Sequence, residues 1–269
     1  MITLKTPAQM GKMREAGRVV AAMLDACRAS VRPGVTTAEL DRLAAEVLKR
    51  AGAESSFLGY STPPFPATIC TSVNYEIVHG IPSPKRKLRE GDIVGIDAGA
   101  IVDGWHADAA ITLPVGNVSD EAARLIEVTE QALRIGIASA KVGGRIGDIG
   151  AAVEEFVRSK GFSVVHNYVG HGIGRAMHEE PQVPNYRPQK GQPNPPISEG
   201  LCIAIEPMVN VGGVATRVLD DHWTVVTEDG SLSAHFEHTL ACLPEGPVVL
   251  TRAEKAVNGA DREKIGATA

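Results

Sequence analysis

Apolar positions at helical spacing open the chain. Thr6-Pro7-Ala8-Gln9 has the form of a capping box with proline at the first helical position. The helix it starts is predicted to run to about Ala29, with Met10, Met13, Val20, Met23, Leu24 and Cys27 along one face. Arg32-Pro33-Gly34 breaks it, and Thr36-Thr37-Ala38-Glu39 begins a second helix with Leu40, Leu43, Val47 and Leu48 inward and Gly52 just past its end. The segment Phe57 to His79 is proline-rich, then β-like from Thr68 to Val73, and Pro82 to Glu90 is a polar loop. Ser119 caps a third helix, Asp120 to about Ala140, and a fourth spans about Gly147 to Lys160 and stops at Gly161. A β segment, Ser163 to Val169, leads into the glycine-rich loop Gly170-His171-Gly172-Ile173-Gly174. Pro184 to Pro196 contains five prolines and reads as an irregular surface loop. Leu201 to Glu206 reads as a buried strand. Trp223 to Thr227 and Leu232 to Cys242 flank Glu228-Asp229-Gly230 and read as a closing hairpin.

The most informative stretch is Gly91 to Ile111. Ile93, Val94, Ile96, Ile101, Val102 and Trp105 are strand formers, and Asp103-Gly104 is a two-residue hairpin signal, because a type I′ turn needs φ > 0 at both central positions. That turn puts Val102 opposite Trp105, Gly99 opposite Asp108 and Asp97 opposite Ala110. Asp97 and Asp108 then share a face as diagonal neighbours, and two carboxylates so close repel unless a cation or proton lies between them. A solvated edge residue is the plainer reading of such a pair. The apolar surroundings of Asp97 weaken it, since a buried carboxylate must be paired or bound to metal.

A constant offset of 109 positions relates two stretches: Gly34 to Gly143, Leu40 to Ile149, Val47 to Phe156, Gly52 to Gly161 and Glu90-Gly91 to Glu199-Gly200. The same offset carries Asp97 onto Glu206. Two related helix-helix-strand halves are predicted, each delivering one carboxylate from the same place on its strand. The offset fails after that strand, where Asp108 would meet Arg217 and the next acidic strand residue is Glu237. The fold class expected is α/β (α+β), a curved antiparallel sheet backed by helices. A single domain over 1–250, with halves at about 5–112 and 113–250, would be followed by a polar tail over 251–269.

Composition narrows the function. The net charge of −5 argues against a chain built mainly to bind nucleic acid or an anionic membrane. No apolar run approaches the ~20 residues of a membrane span, and the N-terminal stretch lacks a signal-peptide apolar core. Cys27, Cys70, Cys202 and Cys242 are far apart without a C-x-x-C pair, which suits buried thiols in a reducing cytoplasm.

Five residues form the candidate constellation: Asp97, Asp108, His171, Glu206 and Glu237. In Ser233 to Leu240, period-2 alternation puts His235, Glu237 and Thr239 on one face. Four carboxylates brought together would require about two divalent cations. The set is hard and oxygen-rich, and suits Mn(II), Fe(II), Co(II) or Zn(II) rather than a thiolate zinc site. Spacing alone points to a dinuclear hydrolase centre, since paired ions can hold a bridging hydroxide and polarise a carbonyl together. His106 shares the strand face of Asp108, so parity leaves it open as a ligand or as a support to one.

The chain resembles the type I methionine aminopeptidases of the bacterial kind, which have the pita-bread fold shared with creatinase and the proline-specific dipeptidases. The resemblance rests on Cys70-Thr71-Ser72-Val73-Asn74 with His79-Gly80-Ile81-Pro82, and on Gly91-Asp92-Ile93-Val94 leading to Asp97. It continues through Asp103-Gly104-Trp105-His106-Ala107-Asp108, the loop around His171, and His178-Glu179-Glu180-Pro181. Ile205-Glu206-Pro207-Met208, Trp223-Thr224-Val225 and Glu237-His238-Thr239 complete it, in order over about residues 5 to 250.

The resemblance implies metal ligands at the same five positions and two divalent ions (Co, Mn, Fe, Zn or Ni, with Fe or Mn favoured). It implies removal of the initiator methionine from nascent proteins when the second residue is small, a bridging hydroxide attacking the metal-polarised Met carbonyl. Glu206 would relay the proton, His178 would bond the oxygen that gains charge, and His79 would contact the scissile amide. Phe65, Cys70, Met177 and Trp223 would line the Met side-chain pocket, although Cys70 could also be simple packing. The substrates implied are N-terminal peptides of nascent chains, met in the cytoplasm by a monomer without membrane or specific DNA partners. Lys85-Arg86-Lys87 with Arg89 is either a solvated loop or a contact to ribosomal RNA. Thr62 and Pro64 depart from the aromatic and glycine of many relatives, and Met177 from their phenylalanine. Two rivals are a proline-specific aminopeptidase of the same fold and a non-catalytic binding protein. Such binding proteins lose metal ligands; here all five candidates stand.

Overall fold

The computed structural model describes residues 1–252. The tail expected over 251–269 falls almost entirely outside them. Helix α1 (Pro7–Arg28) starts on the predicted capping box: Thr6 Oγ1 accepts from Gln9 N, and Gln9 Oε1 accepts from Thr6 N. Helix α2 (Thr37–Ala51) repeats the device with Thr36 and Glu39, and ends on Gly52 at φ 64°. Its buried stripe is Leu40, Ala44 and Leu48, whereas Leu43 and Val47 are only half-buried. The stripe follows spacings of four, which turns the expected inward face by part of a turn. Helix α3 (Asp120–Ser139) is capped by Ser119, and helix α4 (Ile146–Ser159) by Asp148, which accepts from Arg145 N. Helices α2 and α4 begin at Thr37 and Ile146, the same 109 positions apart.

A nine-stranded antiparallel sheet carries the site. Its main path runs Glu54–Ser55, Ile93–Val102, Trp105–Pro114, Glu237–Leu243, Cys202–Ile205, Gly170–Gly172 and Glu179–Val183. Ile69–Val73 also pairs with Ile93–Val102, and Gly246–Val249 with Glu237–Leu243. The central hairpin has the predicted register: Val102 faces Trp105, Gly99 faces Asp108 and Asp97 faces Ala110. Asp103 and Gly104 have φ of 51° and 72°, as a type I′ turn demands.

The main core lies between this curved sheet and the helices. Met23, Leu24, Leu40, Leu48, Ile96, Ile111, Ile149, Ile203 and Leu240 belong to one buried cluster. A second cluster joins Leu125, Val128, Val153 and Val157 of α3 and α4 to Val209 and Ala234.

Two further expectations are corrected. The segment from Ser163 is a strand only over Ser163–Val164, and it pairs with Met208–Asn210. The closing hairpin does not form. Val225–Thr227 pairs with Thr216–Val218 and Glu76–Val78, while Ser233–His235 pairs with Met208–Asn210. The turn at Glu228-Asp229-Gly230 therefore links two different sheets. The strand expected over Leu232–Cys242 breaks at Phe236.

Candidate metal centre

Three neighbouring strands deliver the acidic cluster. Asp97 and Asp108 stand on the central hairpin, and Glu237 opposes Ala110, the residue that Asp97 faces on the other side. Asp108 is locked by its backbone, since its N–H donates to Thr239 Oγ1 (2.9 Å) and its carbonyl accepts from the same hydroxyl (2.8 Å). Glu206 follows the strand Cys202–Ile205, and His171 lies on the adjoining strand Gly170–Gly172.

One ligand atom each of Asp108, His171 and Glu237 lies within 4.8 Å of the others. Glu206 joins them through His171, with Oε1 3.6 Å from Nε2, and Asp97 joins through the strand register, which sets it opposite Ala110, the residue that Glu237 opposes from the other side. The five predicted donors thus meet in one place, three in the tight group and two beside it.

Asp108, His171 and Glu237 are buried and Asp97 and Glu206 half-buried, and the carboxylates lack adequate partners. Asp108 and Glu237 are each 2% exposed. Asp97 Oδ1, Asp108 Oδ1 and Glu237 Oε1 accept no hydrogen bond. Burial pushes the Asp97 carboxyl up to about 7. Burial, then the charge of neighbouring carboxylates, pushes Asp108, Glu206 and Glu237 well above the usual range. His171 Nδ1 lies 2.8 Å from Gly172 O, a bond that needs the proton on Nδ1 and leaves Nε2 as a lone pair facing the carboxylates. Orphaned anionic oxygens around a presented imidazole lone pair suit divalent cations. These residues fit such ions.

Beside the donors lies an open cleft of about 160 Å³, with Phe65, Cys70, Met177 and Trp223 along it. Phe65 meets Trp223 edge-on at 5.1 Å. His79 and His178 face the same cleft. Burial, then His178, pushes the His79 imidazole down to about 4, so it is neutral at pH 7. His79 takes φ 60°, and Gly80 beside it lets the chain pass the Thr71 carbonyl, where a Cβ would approach to 2.2 Å. His178 packs 4.2 Å from the His171 ring.

His106 turns to Ser56, whose Oγ lies 2.9 Å from its Nδ1, and its backbone N–H donates to Gly174 O. It stays outside the tight group.

Sequence reasoning missed three residues. Tyr60 Oη lies 2.6 Å from His178 Nδ1, and Tyr168 packs edge-on against His79 at 5.9 Å. Both stand on irregular segments, which carry no periodicity to read. His235 is 3% exposed, with its Nε2 3.9 Å from Glu206 Oε2. Its parity with Glu237 was the available signal.

The family model for metallopeptidase family M24 matches residues 11–243. A methionine aminopeptidase of Clostridium acetobutylicum is 49% identical over 255 residues, covering 94% of this chain and 100% of that one. Methionine aminopeptidase 1 of Bacillus subtilis is 49% identical over 252 residues, covering 94% and 100%. The crystal structure of a Thermotoga maritima methionine aminopeptidase superposes with a TM-score of 0.90 at 40% identity, covering 94% of this chain and 100% of that chain. A prolidase from Pyrococcus furiosus shares the fold, with a TM-score of 0.74 at 21% identity over 94% of this chain and 66% of that one.

Proposed function

The chain belongs to metallopeptidase family M24, among its methionine aminopeptidases, and from that membership we propose that it removes the initiator methionine from nascent chains whose second residue is small. The observation that carries this reading is the meeting of four carboxylates, two buried and two half-buried, with one buried imidazole beside an apolar cleft.

Asp97, Asp108, His171, Glu206 and Glu237 would hold two divalent ions, with iron or manganese favoured by the hard donor set. When bound, such ions supply Lewis acidity, which polarises a carbonyl and lowers the pKa of water. The remaining work falls to the protein. Glu206 accepts and returns a proton at its carboxylate, in a site where burial raises proton affinity. His178 donates to the oxygen that gains charge as the carbonyl becomes tetrahedral. Tyr60 sets it up for that role: a phenol O–H donated to Nδ1 leaves the proton on Nε2. His79, neutral through burial, bonds the scissile amide. Phe65, Cys70, Met177 and Trp223 take the methionine side chain and exclude water from it.

The architecture is one domain of two halves, about 5–112 and 113–250, each contributing a carboxylate at a matching strand position. The protein acts as a monomer in the cytoplasm, without membrane or DNA partners. Four free, buried cysteines suit that compartment. No helix among the described residues is long and apolar enough to cross a membrane. Lys85-Arg86-Lys87 with Arg89 is a solvated basic loop, and it is the surface on which a ribosome contact would be tested.

The test is turnover of Met-Gly-Met against Xaa-Pro peptides by the metal-reconstituted protein. Release of methionine from the first, with the second untouched, is expected. Preference for Xaa-Pro would favour a proline-specific enzyme, and ribosome binding without peptidase activity under any metal would favour a binding protein.

A further inference from the structure

One buried cation lies outside the donor cluster and has no assigned part in the reaction. The Lys5 side chain is 3% exposed, and its Nζ is 2.7 Å from Glu179 Oε2. The same ammonium donates to Thr3 O (3.1 Å) and Thr3 Oγ1 (2.9 Å), while Thr3 Oγ1 donates to Glu179 Oε2 (2.5 Å). Lys5 is itself tied down. Its N–H donates to Gly200 O (2.7 Å), and Leu4 bridges Leu201, one residue before the strand that leads to Glu206.

Glu179 is the residue after His178. Its second oxygen, Oε1, accepts from Arg175 N (2.8 Å) and Ala176 N (3.2 Å). A single carboxylate therefore closes the turn that presents Met177 and His178 to the cleft. The packing there is tight: a Cβ on Gly174 would sit 2.5 Å from Lys5 Cε and 2.7 Å from Glu179 Oε1. An exposed ion pair would do little, but here the ammonium is buried and the carboxylate half-buried, and a carboxylate stripped of that cation is drawn towards water or another partner. Either response would displace the turn.

We propose that Lys5 is a positioning residue for His178, acting through Glu179 to fix the turn that aims the imidazole at the reacting amide. The inference rests on the reading of His178 as the donor to the developing oxyanion.

A double-variant cycle tests it, with kcat and KM on Met-Gly-Met measured for Lys5→Met, His178→Ala and the two combined. Lys5→Met is expected to lower kcat about tenfold with KM shifted less than about twofold, because misplacing a catalytic group costs rate rather than affinity. In the His178→Ala background the same substitution should change kcat less than about twofold, since the group it positions is gone. Metal affinity by calorimetry should match the parent, and Lys5→Arg should restore most of kcat. An equal loss in both backgrounds, an unchanged kcat, or a fall in metal affinity that accounts for the loss would overturn the proposal. Full activity of His178→Ala alone would overturn the reading of His178, and this inference with it. If Lys5→Met does not fold, Glu179→Gln enters the same cycle, since it keeps an Oε1 acceptor and removes the charge.

Discussion

Tyr60 and His178 are joined by a 2.6 Å hydrogen bond between the phenol oxygen and Nδ1. The two rings also lie 5.3 Å apart, centroid to centroid, so the imidazole is held by contact as well as by the bond. Tyr60→Phe keeps the ring and deletes the donor. The freed Nδ1 can then take the proton, which removes it from Nε2 in part of the population. We expect kcat on Met-Gly-Met to fall about tenfold with little change in KM. Steady-state kinetics check this, and an unchanged kcat would contradict the assignment of the tautomer.

Met177 is a flexible thioether on the wall formed by Phe65 and Trp223. Met177→Ala removes that wall without touching a metal donor. The expected result is a fall in kcat/KM of about tenfold, because an apolar pocket loses roughly that factor per missing contact group. Metal content should be unchanged. Comparing Met-Gly-Met with a norleucine analogue would show whether the loss is confined to the side-chain pocket.

The metal-free protein should respond to pH in a way the loaded protein does not. Burial raises the folded-state pKa of Asp97 from the ordinary 3.8 to about 7. A group raised on folding contributes stability that is fully present below its unfolded value and is lost as pH rises through its folded value. The Tm of chelated protein should therefore decline between about pH 4 and pH 7 from this source and level off above. Saturating divalent metal should raise Tm most at the upper end of that range, where the carboxylates are ionised and the ligand-linked stabilisation is largest. Calorimetric scans with and without metal check this. A metal-free Tm that rises steadily with pH over that interval would contradict the cluster's electrostatics.

The parts of the fold that follow from local rules were readable in the chain. The Asp103-Gly104 turn fixed one register, and that register placed Asp97 and Asp108 as diagonal neighbours without further information. The offset linking Gly34 with Gly143 carried Asp97 onto Glu206, and the starts of α2 and α4 keep the same spacing. What resisted reading depends on tertiary choice. Glu228-Asp229-Gly230 has turn chemistry, but turn chemistry does not say which strand a segment will pair with, and Val225–Thr227 goes to Glu76–Val78 instead. The inward face of α2 settled on Ala44 rather than Leu43 because the packing surface, and not residue size, selects the stripe. Tyr60 reaches His178 from 118 positions away, out of a loop with no repeating pattern.

The central claim is that divalent cations neutralise the buried acidic cluster and that turnover depends on them. The most direct measurement is metal content and Met-Gly-Met turnover of one preparation, before stringent chelation, after it, and through anaerobic titration with Mn(II) or Fe(II). The account predicts that chelation abolishes turnover and that activity returns in step with metal bound to the chain. Undiminished turnover by verified metal-free protein would contradict it.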